Sequence, residues 1–314
     1  LLFLPCRKDH RPFPGGDRAP ARRAPAAGGV RTRQRTLNAE HLYPLMIQTT
    51  ATVLQNEALA PNYGRISLSC GGGFARSNPG QFVMLGFPGS LDPLLRRPFS
   101  IHRLIMDGGR CQGIEVLYKT VGPATRRLSG LRAGEAVSLL GPLGNAFRVA
   151  SGTRRIYLAA GGVGVAPMVF LLERLRSMAP APPACRLFLG GRSREDLLCA
   201  GEIERLGTPV VLTTDDGSCG DQCRVTSPLE EAIRREPPDL VLACGPKAML
   251  VCVLGIVRAC SVPCQVSIET MMACGMGACL GCAVSGRPDD TRYLHACLDG
   301  PVFDAREVVF GEER

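Results

Sequence analysis

The chain has 314 residues, 45% hydrophobic and 21% charged, which excludes a collagen, a coiled coil or a wholly disordered polymer and leaves room for two or three modest domains. The formal net charge of +9 is concentrated in residues 1–45, where nine arginines and lysines face three acidic residues, without the interleaved aromatics of a nucleic-acid-binding arm. The apolar run Met249–Val257 is far short of the roughly 20 residues a membrane span needs.

Residues 1–45 are rich in Pro, Gly and Ala and have no apolar periodicity, so they are expected to be a disordered or non-native leader, with the functional protein starting near Met46. Leu1-Leu2-Phe3-Leu4 is too short for a signal-peptide core. From Met46 to about Phe147 the pattern predicts short strands at Ile47–Val53, Gly64–Ser69, Gln81–Leu85, Phe99–Arg103, Ile114–Lys119 and Ala136–Leu139, punctuated by Gly and Pro. Regular short strands of this kind argue for a small antiparallel barrel over 46–149. From Arg155 the period changes. Strands are predicted at Ile156–Ala160, Leu187–Leu189, Val210–Thr213, Leu240–Ala243 and Gln265–Ile268, alternating with helices at Met168–Met178, Glu195–Leu206, Pro228–Arg235 and Lys247–Ala259. That alternation predicts a doubly wound parallel α/β domain over 150–263. The remainder, 264–314, is rich in Cys and Gly and too short for a core of its own, so something other than apolar burial is expected to organise it.

Fifteen cysteines, an odd number scattered along the chain without a secretory signal, do not read as a disulfide framework, and the expected compartment is the cytoplasm. Most, such as Cys70, Cys185, Cys199, Cys244 and Cys252, read as small buried apolar residues. Four do not. Cys274, Cys279 and Cys282 are spaced C-x4-C-x2-C, and Cys297 follows after 14 intervening residues. This is the spacing of a plant-type [2Fe–2S] centre held by four thiolates. Gly275, Gly277 and Gly281 are expected to let the backbone take positive φ and turn its N–H groups toward the sulfurs. A zinc site is the alternative, although its usual paired C-x2-C knuckles are not both present.

Gly161-Gly162-Val163-Gly164-Val165-Ala166-Pro167 joins a strand to a helix. It lacks the final glycine of the Rossmann fingerprint, but glycines and a helix N-terminus still suit a diphosphate, and Pro167 suits a first helical turn. Cys244-Gly245-Pro246 repeats the arrangement at a second strand end, so the pair predicts a nicotinamide nucleotide site; each alone is explained equally well by tight packing. In the barrel, the Arg97 guanidinium suits a diphosphate, Phe99 an aromatic ring and the Ser100 hydroxyl a ring nitrogen. Tyr118 and Lys119 end another strand, with Gly122 and Thr125 beyond.

A barrel with R-P-F-S, a sheet with G-G-V-G-V-A-P and C-G-P, and a terminal C-x4-C-x2-C-x14-C resemble the ferredoxin-reductase superfamily. More closely, the chain resembles the electron-transfer subunits of the NAD-dependent class 1B dihydroorotate dehydrogenases from about Met46 to Phe310. The most specific stretches are Glu269–Cys282, Cys297–Phe303, Leu117–Thr125 and Thr214–Ser218. The resemblance implies FAD binding by Arg97, Pro98, Phe99, Ser100, Leu117, Tyr118, Lys119, Gly122, Ala124 and Thr125, with Ala124 standing where the family has glycine. It implies NAD at Gly161, Gly162, Gly164, Pro167, Cys244, Gly245 and Pro246, and a [2Fe–2S] cluster on Cys274, Cys279, Cys282 and Cys297. It further implies an FMN-containing catalytic partner in a heterotetramer of two of each subunit, acting in pyrimidine (UMP) biosynthesis. Single electrons would pass from that FMN through the cluster to FAD, and hydride from FAD to NAD+. No length remains for a catalytic (β/α)8 barrel, so this chain alone is not expected to oxidise dihydroorotate. Three alternatives stand beside this reading: the flavin subunit of an NADH-dependent ferredoxin:NADP+ oxidoreductase or sulfide dehydrogenase; an oxygenase reductase, whose pattern is not found in the Asp299–Phe303 tail; and, in a different class, a zinc-stabilised binding module.

Overall fold

The computed structural model describes residues 46–177, 181–286 and 293–310; the expected leader and the predicted helix end at Met178 lie outside them. Six strands, β1 (Ile47–Ala60), β2 (Tyr63–Ser69), β3 (Phe82–Gly86), β4 (Arg97–Asp107), β5 (Arg110–Lys119) and β6 (Ala136–Leu143), close into an antiparallel barrel in the order β1-β2-β5-β4-β3-β6. The alternation that predicts the strands also fills the barrel. Ala51 and Val53 point inward while Thr50 and Thr52 face out, and the register sets Ile66 against Val116 and Leu68 against Ile114, all four completely buried. Each such side chain contributes roughly 1.5–3 kcal/mol by leaving water. Strand β4 begins at Arg97, two residues earlier than expected, because Arg97 and Pro98 pair with Leu85 and Met84 of β3. The helix α1 (Pro123–Ser129) follows β5.

The α/β part runs β7 (Arg155–Gly161), α2 (Ala166–Arg176), β8 (Ala184–Gly191), α3 (Ala200–Arg205), β9 (Val210–Thr214), α4 (Thr226–Arg235), β10 (Leu240–Cys244), α5 (Lys247–Ala259) and β11 (Cys264–Ser267). Two short strands, β12 (Ala283–Ser285) and β13 (Tyr293–His295), form a hairpin, and β14 (Val302–Asp304) ends the described elements. The large sheet has the order β14-β11-β10-β7-β8-β9, parallel except for the β11–β14 pair. Chain order reverses between β7 and β10, which opens a crevice at their carboxyl ends, where ligands bind in such sheets.

Three sequence expectations are corrected. The helix expected over Glu195–Leu206 is broken: the Asp196 carboxylate accepts the Arg192 N–H at 2.8 Å and the Tyr63 hydroxyl proton, closing a turn, and the helix begins only after Cys199 at φ 60°. The boundary expected between 263 and 264 falls inside the sheet, since β11 pairs with β10 and β14 adds an edge strand. The cysteine-rich segment is organised in good part by apolar burial. Cys282, Val284, Ala296, Cys297 and Phe303 share one core with Phe82, Met84 and Leu143 of the barrel and Val241 and Val266 of the sheet. A segment too short to build a core borrows one.

Candidate functional site

The four cysteines of the C-x4-C-x2-C…C pattern come together: Cys274, Cys279 and Cys282 lie in the loop between β11 and β12, and Cys297 lies just past β13. Their sulfurs associate in two pairs: Cys274 and Cys279 interact through their side chains, and Cys282 and Cys297 lie 3.2 Å apart, far beyond the roughly 2.0 Å of a disulfide. Backbone N–H groups are aimed at the sulfurs. Met276 and Cys279 each donate to Cys274 at 3.4 Å, Gly277 donates to Cys297 at 3.2 Å and Gly281 to Cys279 at 3.5 Å. Burial works to raise the Cys274 thiol, but these donors outweigh it and bring the group down to about 7; burial and the neighbouring Cys282 push Cys297 up to about 12. Four thiols gathered together with N–H donors turned onto them fit the four-thiolate ligation of a [2Fe–2S] centre.

Gly275 and Gly277 take φ +73° and +78°, as expected, and a Cβ on Gly275 would lie 2.6 Å from Met84 Cγ. Gly281 does not have a positive φ; Leu280 carries that conformation at φ 58°, so the expectation for Gly281 is corrected. The contact with Met84 places the cysteine loop against β3, and Met84 is paired with Pro98 of β4. One strand therefore separates the cysteine loop from the Arg97–Ser100 segment. Asn145 holds the far end of the segment in place: its amide donates to the carbonyls of Asp299 and Val302, both at 2.8 Å, and its carbonyl accepts the Val302 N–H at 2.9 Å.

Arg97, Pro98, Phe99 and Ser100 are half-buried along the start of β4 and line the surface of the barrel. The Arg97 guanidinium donates to the carbonyls of Leu95 and Arg96, at 2.8 and 3.3 Å. Leu117 and Tyr118 are buried, and the Tyr118 hydroxyl donates to Asn56 at 2.8 Å. The Lys119 ammonium engages the Tyr63 hydroxyl oxygen and lies 3.4 Å from Asp196, so it bridges the barrel to the nucleotide sheet. Beyond it, Thr125 is buried with Ala124, and its hydroxyl accepts the N–H groups of Val121 and Gly122 at 2.8 and 3.0 Å. Thr125 thus shapes the turn at Gly122 that starts α1. Its hydroxyl is already engaged there.

At the crevice between β7 and β10 the two glycine loops press on each other. A Cβ on Gly164 would lie 2.3 Å from the Cys244 carbonyl oxygen and 2.8 Å from Gly245 Cα, and one on Gly161 would lie 2.9 Å from Pro246 Cδ. Gly161, Gly164 and Pro167 are buried, so their part is packing; Gly162, Cys244 and Gly245 are half-buried and Pro246 exposed at the mouth. The cysteines expected to be buried apolar residues, Cys70, Cys185, Cys199, Cys244 and Cys252, are all half-buried, and every cysteine among the described residues is free.

Residues 269–309 match the iron–sulfur cluster binding domain of dihydroorotate dehydrogenase B, and residues 158–254 match the oxidoreductase NAD-binding domain. The chain is 36% identical over 261 residues to the dihydroorotate dehydrogenase B (NAD(+)) electron transfer subunit of Caldanaerobacter subterraneus, covering 83% of this chain and 98% of that one. To the subunit of the same name from a Geobacillus species it is 35% identical over 267 residues, covering 84% and 100%. The chain belongs to this family. Among solved structures, an NADH-dependent reduced ferredoxin-NADP oxidoreductase superposes with a TM-score of 0.71 at 24% identity over 82% of this chain and 89% of that one. A ferredoxin NADP+ reductase from Neisseria gonorrhoeae with bound FAD and NADP gives 0.56 at 17% identity over 68% and 91%. At these identities the likeness shows the fold, a ferredoxin-reductase barrel and nucleotide sheet.

Nothing in the local sequence sets Tyr63, Asn145 or Asp196 apart. Asp196 sits in an ordinary charged stretch and Asn145 in a loop, with no local pattern to set them apart; only their long-range bonds do so.

Proposed function

We propose that this chain passes electrons from the FMN of a dihydroorotate dehydrogenase catalytic subunit to NAD+, using a [2Fe–2S] cluster and FAD, in a cytoplasmic heterotetramer of two subunits of each kind. The observation that carries the reading is the gathering of four thiols one strand away from Arg97–Ser100. When bound, the cluster supplies one-electron steps, and FAD and NAD+ supply the exchange of an electron pair as hydride. The chain's own residues do the positioning. Cys274, Cys279, Cys282 and Cys297 are the cluster ligands, and the N–H groups of Met276, Gly277, Cys279 and Gly281 stabilise negative charge on them. Arg97 is the anchor for the FAD diphosphate, with Pro98, Phe99 and Ser100 beside the flavin ring; the turn held by Thr125 presents Gly122 and Ala124 near the phosphates. Leu117, Tyr118 and Lys119 fix that strand end. Gly162, Cys244, Gly245 and Pro246 border the NAD crevice, and Gly161, Gly164 and Pro167 set its width.

The identity of 35–36% to the electron transfer subunits, against 24% to the ferredoxin-NADP oxidoreductase, favours this reading over a ferredoxin:NADP+ oxidoreductase or sulfide dehydrogenase subunit. The match of residues 269–309 to an iron–sulfur cluster binding domain weighs against a zinc-stabilised binding module. The test is an absorbance spectrum with iron and sulfide analysis on anaerobically purified chain, followed by kinetics. Flavin and iron–sulfur bands, NADH-dependent dye reduction, and dihydroorotate turnover only after the FMN subunit is added are expected. A colourless, iron-free protein, or dihydroorotate turnover by the chain alone, refutes the reading.

A further inference from the structure

We propose that His102, Cys199 and Glu202 form a second metal site, of the zinc type, at the seam between the barrel and the nucleotide sheet. His102 lies on β4, two residues beyond Ser100; Cys199 immediately precedes α3, and Glu202 lies within it. One ligand atom from each of the three residues lies within 4.8 Å of the other two. A central ion would therefore stand at most about 2.8 Å from each atom, so inward movements of no more than about 0.8 Å reach the ~2.0–2.3 Å bonds of zinc to nitrogen, oxygen and sulfur.

The imidazole supplies the independent reason to place a cation here. His102 is 0% exposed, and its Nδ1 faces the Ala166 carbonyl oxygen at 3.4 Å. A carbonyl only accepts, so the ring proton belongs on Nδ1 and Nε2 presents a lone pair. That buried Nε2 has no hydrogen-bond partner among the described residues, and the oxygen it faces, Glu202 Oε2, is 4.0 Å away. Oε2 also accepts an N–H of Arg103 at 3.2 Å, but Nε2 has no donor, and a cation between the two atoms would bond both. A ring N–H held by a backbone carbonyl, with the opposite nitrogen free, is also the usual way metal-binding histidines are oriented.

The surrounding charge agrees. Arg65 and Arg103 together contact four carboxylates, those of Glu57, Glu115, Glu173 and Glu202, which leaves two negative charges in excess for a divalent cation to neutralise. A thiolate, an imidazole and a carboxylate are the mixed donor set that suits zinc and leaves a fourth position open. Occupied, the site would tie the strand that begins with Arg97–Ser100 to the nucleotide sheet.

The test uses the full chain carrying its iron and flavin, dialysed against zinc chloride and then against metal-free buffer. One zinc per chain in addition to the iron is expected, with a zinc-edge X-ray absorption spectrum of one sulfur and the rest nitrogen or oxygen. Cys199→Ser and, separately, Glu202→Gln, which keeps the acceptor for Arg65, are each expected to weaken zinc binding by at least the ~10–100-fold lost when even an outer partner of a metal ligand is removed. No retained zinc, an all-sulfur shell marking zinc in the cysteine loop, or equal retention by wild type and both variants overturns the proposal. The wild-type spectrum decides the matter even if a variant fails to fold.

Discussion

Gly164→Ala tests whether the two glycine loops set the nucleotide crevice. The new methyl would lie 2.3 Å from the Cys244 carbonyl oxygen, 2.6 Å from its carbon and 2.8 Å from Gly245 Cα. All three are backbone atoms, so no side chain can swing aside, and β10 must move away from β7 at its carboxyl end. Overpacking of this kind costs about 1–3 kcal/mol, and a backbone obstacle puts the cost toward the upper end. Gly255→Ala is the control: it lies in α5 with nothing within 4 Å of the added methyl. There the change is expected to stabilise by about 0.5–1 kcal/mol, the ordinary penalty of glycine in a helix. The assay is urea unfolding of both variants, with KM for NADH in the dye-reductase reaction and iron content measured alongside. Gly164→Ala should unfold at lower urea with a raised KM for NADH and unchanged iron, and Gly255→Ala should unfold at higher urea with both unchanged. A Gly164→Ala protein as stable as wild type, with the same KM, would refute the reasoning, because it would mean that the loops do not touch as described.

Serine at any one of Cys274, Cys279, Cys282 or Cys297 should abolish or strongly lower iron content and the paramagnetic signal of the reduced centre while flavin absorbance remains; an unaltered signal would remove those residues as ligands. Asn145→Ala gives up three hydrogen bonds to Asp299 and Val302. At about 0.5–1.5 kcal/mol each it should lose roughly 1.5–4.5 kcal/mol on urea unfolding, with the cysteine segment loosening first in hydrogen exchange. Burial works against the Asp196 carboxylate, but Tyr63, the Arg192 N–H and Lys119 hold it below its ordinary 3.8. A depressed carboxylate contributes stability that is complete above the ordinary value and is lost as pH falls through the folded one. The stability gap between wild type and Asp196→Asn, measured by urea unfolding, should therefore be constant from neutral pH to about 5 and shrink below 4.

All six barrel strands and the five parallel strands were legible in the chain, because each alternates or clusters apolar residues over a few positions and most end near Gly or Pro, although β1 runs seven residues past its expected end to Ala60. The four-cysteine pattern was legible for the same local reason, since three of the cysteines fall within nine residues and thiol spacing is set by how a short loop wraps. What is decided by distant pairings was not. The addition of β14 to the sheet, the core that the cysteine segment shares with Met84 and Val266, the Lys119–Tyr63–Asp196 bridge and the meeting of His102 with Cys199 and Glu202 all join residues far apart in sequence. Cys199 shows the limit most plainly. As a lone cysteine in a charged stretch it carries no pattern, and it gains neighbours only because the barrel and sheet close on each other, burying His102 between them.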